Sequence, residues 1–82
     1  MLTDYLHAAM SQAQYEILPD DSSYYGQITA CQGVYANAAT LEQCRVELQQ
    51  TLEDWVLFRI YQHLSLPDIA GIKLTVKKET AA

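Results

Sequence analysis

The sequence is poor in positive charge. Its 82 residues hold five Lys and Arg against ten Asp and Glu, a formal net charge of −5. Phosphate backbones are bound by clustered Lys and Arg, and Arg45, Arg59, Lys73, Lys77 and Lys78 are all that the chain offers. Direct DNA binding is therefore not expected. A basic protein partner suits the balance better, because complementary fields steer association and suppress wrong pairs. Cysteine is equally scarce: Cys31 and Cys44 make no disulfide framework and read as two reduced thiols of a cytoplasmic protein. No apolar run reaches the ~18 residues that span a membrane, and the N-terminal segment carries Asp4 where a signal peptide would be basic. Repeats, low-complexity tracts and interdomain linkers are missing too. A chain this short buries only about 60–65 % of its unfolded surface, which leaves room for one domain, 1–82, and excludes a two-domain dinucleotide enzyme.

What is present is a hydrophobic half, 50 % of the residues, laid out with clear periodicity. The strongest pattern lies in residues 40–63. Leu41, Cys44, Leu48, Leu52, Trp55 and Val56 fall within about 120° of a helical wheel, which predicts a long amphipathic helix. Thr40 can cap it and Gln43 can reach back to the cap N–H. Pro67 disfavours helix at Leu66, so the helix is expected to stop near Leu64. From Trp55 onward the pattern changes: Val56, Leu57, Phe58, Ile60, Tyr61 and Leu64 spread around the circumference, more than one sheet can bury. Arg59 sits at the centre of the apolar sector, either emerging past the sheet edge or facing a partner carboxylate.

A second, short helix is predicted over residues 2–12 from Leu2, Leu6, Ala9, Met10 and Ala13, with the N-terminal helical segment extending to residue 13. The period then becomes extended. Tyr15 and Ile17 alternate with polar neighbours, PDDSS has turn chemistry, and residues 23–29 put Tyr24, Gly26 and Ile28 on one face and Tyr25 and Gln27 on the other. Gly33 can supply a positive φ before a short third strand at Val34, Tyr35 and Ala36. After Pro67, Gly71 opens a fourth strand in which Ile72, Leu74 and Val76 alternate with Lys73, Thr75 and Lys77. A frayed tail, 77–82, follows the 14–76 core. The order helix, strand, strand, strand, helix, strand predicts a two-layer α+β fold with the long helix packed on one face of the sheet.

Several of these features resemble the HicB family of antitoxins. The resemblance rests on the aromatic strand ending in YYGQI, the loop CQGV, a Thr-Leu-Glu helix start, the run ELQQTLEDWVLF and a Leu-Pro exit. It covers most of the chain in unbroken order. It implies a partial ribonuclease-H-like fold, β-β-β-α-β, and a bacterial, cytoplasmic binding protein that neutralises a HicA-type toxin, a small basic ribonuclease, by protein–protein contact. The chain departs from the family at Thr29, where proline is common, and at Ala38 and Ala39, where a glycine-acidic pair precedes the helix. Many HicB proteins append a DNA-binding module, and the eight residues after Leu74 cannot hold one.

Catalytic and metal readings find less support. Glu16, Asp20, Asp21 and Asp54 could be weighed as a nuclease cluster around divalent cations, but two of them lie in a turn where aspartate is expected anyway. His7, Cys31, Cys44 and His63 lack close metal-ligand spacing. No enzyme, cofactor or metal site is expected. The toxin-facing surface is expected to draw on Glu16, Asp20, Asp21, Tyr25 and Gln27. The alternative is a stand-alone homo-oligomeric module of the same fold with another protein partner. In either case Phe58, Ile60, Tyr61 and Leu64 are expected at the interface of a homodimer or dimer-based tetramer.

Overall fold

The computed structural model describes residues 2–74. Two helices and three strands follow in the order α1 (Leu2–Ser11), β1 (Gln14–Ile17), β2 (Tyr24–Gln27), β3 (Tyr35–Ala38) and α2 (Leu41–Tyr61). The strands form an antiparallel meander, β1-β2-β3, with Tyr15 opposite Gly26 and Gly26 opposite Ala36. The result is a small α+β domain.

Alternation along the strands decides which face is covered. Tyr15, Tyr24, Gly26, Ala36 and Ala38 point toward α2, which lies over β3 and β2. Ile17 shares that direction but stays exposed, because α2 does not reach over β1. The core joins Ile28, Cys31, Val34 and Ala36 to Cys44, Leu48, Leu52 and Val56 of α2, with Tyr5, Ala9 and Ile69 closing it. Leu41, expected in the helix's apolar stripe, is 47 % exposed: it is the first residue of α2, beyond the strand ends. Both cysteines are buried and free.

Gly26 sets the distance between the layers. A Cβ at this position would stand 2.8 Å from two carbons of the Tyr15 ring and 3.1 Å from Cys44 Sγ. The missing side chain is what lets α2 approach the central strand while Tyr15 lies across it.

Helix α2 starts as expected, with Thr40 Oγ1 accepting the Gln43 N–H at 3.1 Å. The Gln43 side chain does not return to the cap; its amide donates to Glu47 Oε2 at 3.0 Å, one turn on. The helix ends at Tyr61, earlier than Pro67 would require. The His63 N–H donates to the Ile60 carbonyl and the Leu64 N–H to the Arg59 carbonyl, with His63 at φ 56. That bond pair is a Schellman stop, and its left-handed position normally takes glycine. A β-carbon in that conformation costs on the order of 1 kcal/mol, so His63→Gly is expected to stabilise the domain by about 0.5–1 kcal/mol, read as a higher urea midpoint with unchanged slope. A lower midpoint would show that the His63 side chain contributes more than its backbone costs.

The short helix also differs in register. Its buried centre is Tyr5 and Ala9, with Leu6 and Met10 at the margins and Leu2 exposed. Tyr5 displaces the aliphatic stripe because its ring fills the core while its hydroxyl donates to the Pro67 carbonyl at 2.7 Å. Burial first, then Cys31 and Asp68, with Arg59 opposing them, push the Tyr5 phenol up to about 12. Burial also pushes up the thiols of Cys31 and Cys44. The folded protein therefore keeps protons that the unfolded chain releases as pH climbs from about 9 to 12. Stability is complete below that window and falls within it. Urea midpoints are expected to drop between pH 8 and pH 10.5, and to drop less in Tyr5→Phe. A flat profile would contradict this burial.

Of the expected fourth strand only residues 72–74 are described, and within them the one ladder pairing is an isolated bridge from Ile72 to Ile69. Ile69 and Ile72 exchange N–H and C=O bonds at 3.1 and 2.8 Å across Ala70 and Gly71, both at positive φ. This is a type I′ reversal. It turns Ile72 back on Ile69, and residues 72–74 lie beside Asp4 and His7 of α1. The remainder of that strand, Thr75 to Lys77, and the tail lie outside the described residues.

Candidate partner-binding face

The helices occupy one side of the sheet, and among the described residues nothing covers the other. The uncovered face is built by the alternate positions Gln14 and Glu16 of β1, Tyr25 and Gln27 of β2, and Tyr35 and Asn37 of β3. Register places them in two rows, Glu16 opposite Tyr25 opposite Asn37, and Gln14 opposite Gln27 opposite Tyr35. Tyr25 and Tyr35 sit diagonally and stack, with ring centroids 6.2 Å apart and planes 26° from parallel. Beside them a shallow hollow of about 160 Å³ opens among Gln14, Glu16, Tyr25 and Gln27. The face is thus a rigid aromatic pair surrounded by amides and one carboxylate, chemistry suited to protein contact.

The β1–β2 turn extends this face at one end. The Leu18 N–H donates to the Ser23 carbonyl at 2.8 Å and the Ser22 N–H to the Leu18 carbonyl at 3.0 Å, closing a loop that projects Asp20 and Asp21. Ser23 N–H donates to Asp21 Oδ1 at 3.0 Å. Hydrogen bonds from the Ser23 side chain and backbone hold the Asp21 carboxyl below its ordinary range. Asn37 Nδ2 in turn donates to Ser23 Oγ at 2.8 Å and to the Tyr24 carbonyl at 2.9 Å. The chain from Asn37 through Ser23 to Asp21 ties the acidic turn to β3 and keeps Asp21 charged and oriented.

Of the five residues proposed from sequence as partner contacts, the sheet brings Glu16, Tyr25 and Gln27 into one patch and the turn sets Asp20 and Asp21 at its end. Tyr35 and Asn37 were missed. The signal was present in residues 34–37, where Val34 and Ala36 are buried and Tyr35 and Asn37 are not, but a three-residue strand reading did not extend to its second face. Of the carboxylates weighed as a nuclease cluster, Glu16 lies on the open face with Asp20 and Asp21 in the turn at its end, while Asp54 lies apart on the outer side of α2. Cys31 and Cys44 are buried while His7 and His63 are exposed. Among the described residues no group of three or more His, Cys, Asp or Glu is placed to hold a metal ion.

The residues proposed for self-association divide. Phe58 at 57 %, Tyr61 at 79 % and Leu64 at 45 % are exposed, whereas Ile60 is half-buried against the core. Helix α1 packs beside α2 near Leu6, Val56 and Leu57 and so covers only part of the apolar end. Arg59 stays within the domain: its Nε donates to the Ser65 carbonyl at 2.8 Å and its guanidinium lies over Trp55. No described helix is long and apolar enough to cross a membrane.

Among solved structures the chain is similar to the crystal structure of TTHA0281 from Thermus thermophilus. The TM-score is 0.88 and the identity 36 %, over 94 % of this chain and 95 % of that one. No curated protein matches. The UPF0150-like family model matches residues 4–67, from α1 through α2 to the proline that receives the Tyr5 hydroxyl. The protein belongs to the UPF0150-like family.

Proposed function

We propose that this is a non-catalytic antitoxin-like binding protein that neutralises a HicA-type, mRNA-cleaving toxin by contact. The uncovered sheet face, with its Tyr25–Tyr35 stack beside Glu16 and the acidic turn, carries the reading. Tyrosine offers large, rigid contact area with a polar tip, and the carboxylates supply the field that a small basic protein would meet. Membership of the UPF0150-like family is compatible with the role, and the HicB-like, partial ribonuclease-H-like architecture is proposed with it. Co-expression with a short basic protein encoded in the neighbouring reading frame tests the reading. A complex that co-purifies through gel filtration is expected; a basic neighbour that elutes separately would contradict it.

We also propose that the chain self-associates, as a homodimer or a dimer-based tetramer. The observation favouring this is the exposed apolar end of α2, with Phe58, Tyr61 and Leu64 left open by α1. Each buried Å² of apolar area contributes about 25 cal/mol before the cost of association, so a few such side chains paired across a two-fold axis contribute several times RT. Sedimentation equilibrium at micromolar concentration is expected to return at least twice the monomer mass, and Phe58→Asp with Tyr61→Asp to return the monomer. A wild-type mass of 9.3 kDa would reject the oligomer.

A further inference from the structure

The end of the domain opposite the acidic turn carries a second feature. There the β2–β3 connection, the C-terminal turn of α2 and the segment that follows it surround a depression of about 300 Å³. Its walls include Gln32, Trp55, Arg59, Ser65 and Pro67. Trp55 and Arg59 stand one helical turn apart, with the guanidinium carbon 5.0 Å from the ring centroid. The Arg59 Nε–H is committed to the Ser65 carbonyl. The two contacts hold this long side chain in one place, and among the described residues no hydrogen bond engages the Nη end of its fork.

What lies behind the guanidinium does not neutralise it. Cys31 and Tyr5, which both feel its charge, are fully buried, and burial keeps the thiol and the phenol protonated at neutral pH. Asp68, next to Pro67, does not line the depression. Among the described residues no carboxylate bonds to Arg59. A chain with twice as many acids as bases therefore leaves one oriented, ring-supported cation facing a hollow.

We propose that this depression binds a carboxylate, gripped end-on by the Nη groups of Arg59, assisted by the Gln32 amide, with Trp55 and Pro67 flanking the carbon stem that bears it. The planar fork can take both oxygens of a carboxylate in parallel, and the Trp55 and Pro67 walls add contact to a carbon stem that inorganic phosphate lacks. Such a group comes from a small carboxylic acid or from an acidic residue of a peptide.

Trp55 is the single tryptophan of the chain and reports directly on the site. The test titrates the full chain with N-acetylated, C-amidated glutamate, with the same derivative of glutamine, with glutarate and with inorganic phosphate, following Trp55 emission. The glutamate derivative and glutarate are expected to give a saturable change, and the glutamine derivative and phosphate to bind at least tenfold more weakly. If glutarate binds tighter than the glutamate derivative the source is a small acid; the reverse order points to a peptide. Arg59→Lys, which keeps the charge and loses the fork, is expected to weaken binding at least tenfold. Gln32→Ala, at an exposed position that leaves the core intact, is expected to weaken it about threefold. Equal responses to the glutamate and glutamine derivatives, phosphate binding as tightly as carboxylate, or full affinity in both variants would overturn the assignment.

Discussion

Gly26→Ala is expected to lower the unfolding free energy by roughly 1–3 kcal/mol, the range for forcing extra volume into a packed site. At 4–8 °C per kcal/mol for a domain of this size, even the middle of that range is readily seen by thermal denaturation. The new Cβ would meet the Tyr15 ring on one side and Cys44 Sγ on the other. Tyr15 is half-buried on an edge strand and has some freedom to tilt outward. Cys44 has none: it is fully buried and its Sγ–H is directed at the Ala36 carbonyl at 3.6 Å. Relief at that side requires α2 to withdraw from β2, which opens the contacts of Leu48 and Leu52. Combining Gly26→Ala with Tyr15→Ala should therefore be less than additive, since part of the strain disappears with the ring. A Gly26→Ala protein within 0.5 kcal/mol of wild type would show that the layers have slack at this point.

The second large effect is expected in partner binding. Tyr25→Ala and Tyr35→Ala should each weaken the toxin complex by at least 2 kcal/mol, about thirtyfold, as expected for aromatic anchors at an interface centre. Asp20→Lys with Asp21→Lys should act differently, slowing association and flattening its dependence on salt while changing dissociation less. Asp21→Asn is the necessary companion, because it keeps an acceptor for the Ser23 N–H while removing the charge. Stopped-flow association at low and moderate salt separates the two classes. Acid-to-lysine variants that associate as fast as wild type at low salt would remove the turn from the interface.

The long helix and the antiparallel hairpin were legible in the sequence because periodicity expresses the same burial that later stabilises them. Cys44, Leu48, Leu52 and Val56 are buried as their spacing implies, and Thr40 caps as its hydroxyl allows. What could not be read was set by contacts distant in the chain or by rare backbone states. Tyr5 enters the core because Pro67, 62 residues away, accepts its hydroxyl. Helix α2 stops at a histidine in a left-handed conformation, which residue type alone argues against. Ala70 does the same in the reversal that pairs Ile72 with Ile69. At the candidate face, period-two alternation placed Tyr25 and Gln27 outward. It did not reveal that Tyr35 would stack on Tyr25, since that depends on the register between β2 and β3. For Arg59 the i, i+4 relation to Trp55 was the available clue, and the Ser65 carbonyl that completes its environment was not.

The most direct test of the central claim is toxin inhibition. The proposed partner, a HicA-type ribonuclease, is mixed with increasing amounts of this chain, and cleavage of a model mRNA is followed. Inhibition that rises to completion with added wild-type chain, and that shifts to at least thirtyfold higher concentration in Tyr25→Ala with Tyr35→Ala, is the predicted result. Cleavage unaffected by excess wild-type chain, or inhibition equally strong when both tyrosines are removed, would contradict the assignment of the open sheet face as the neutralising surface.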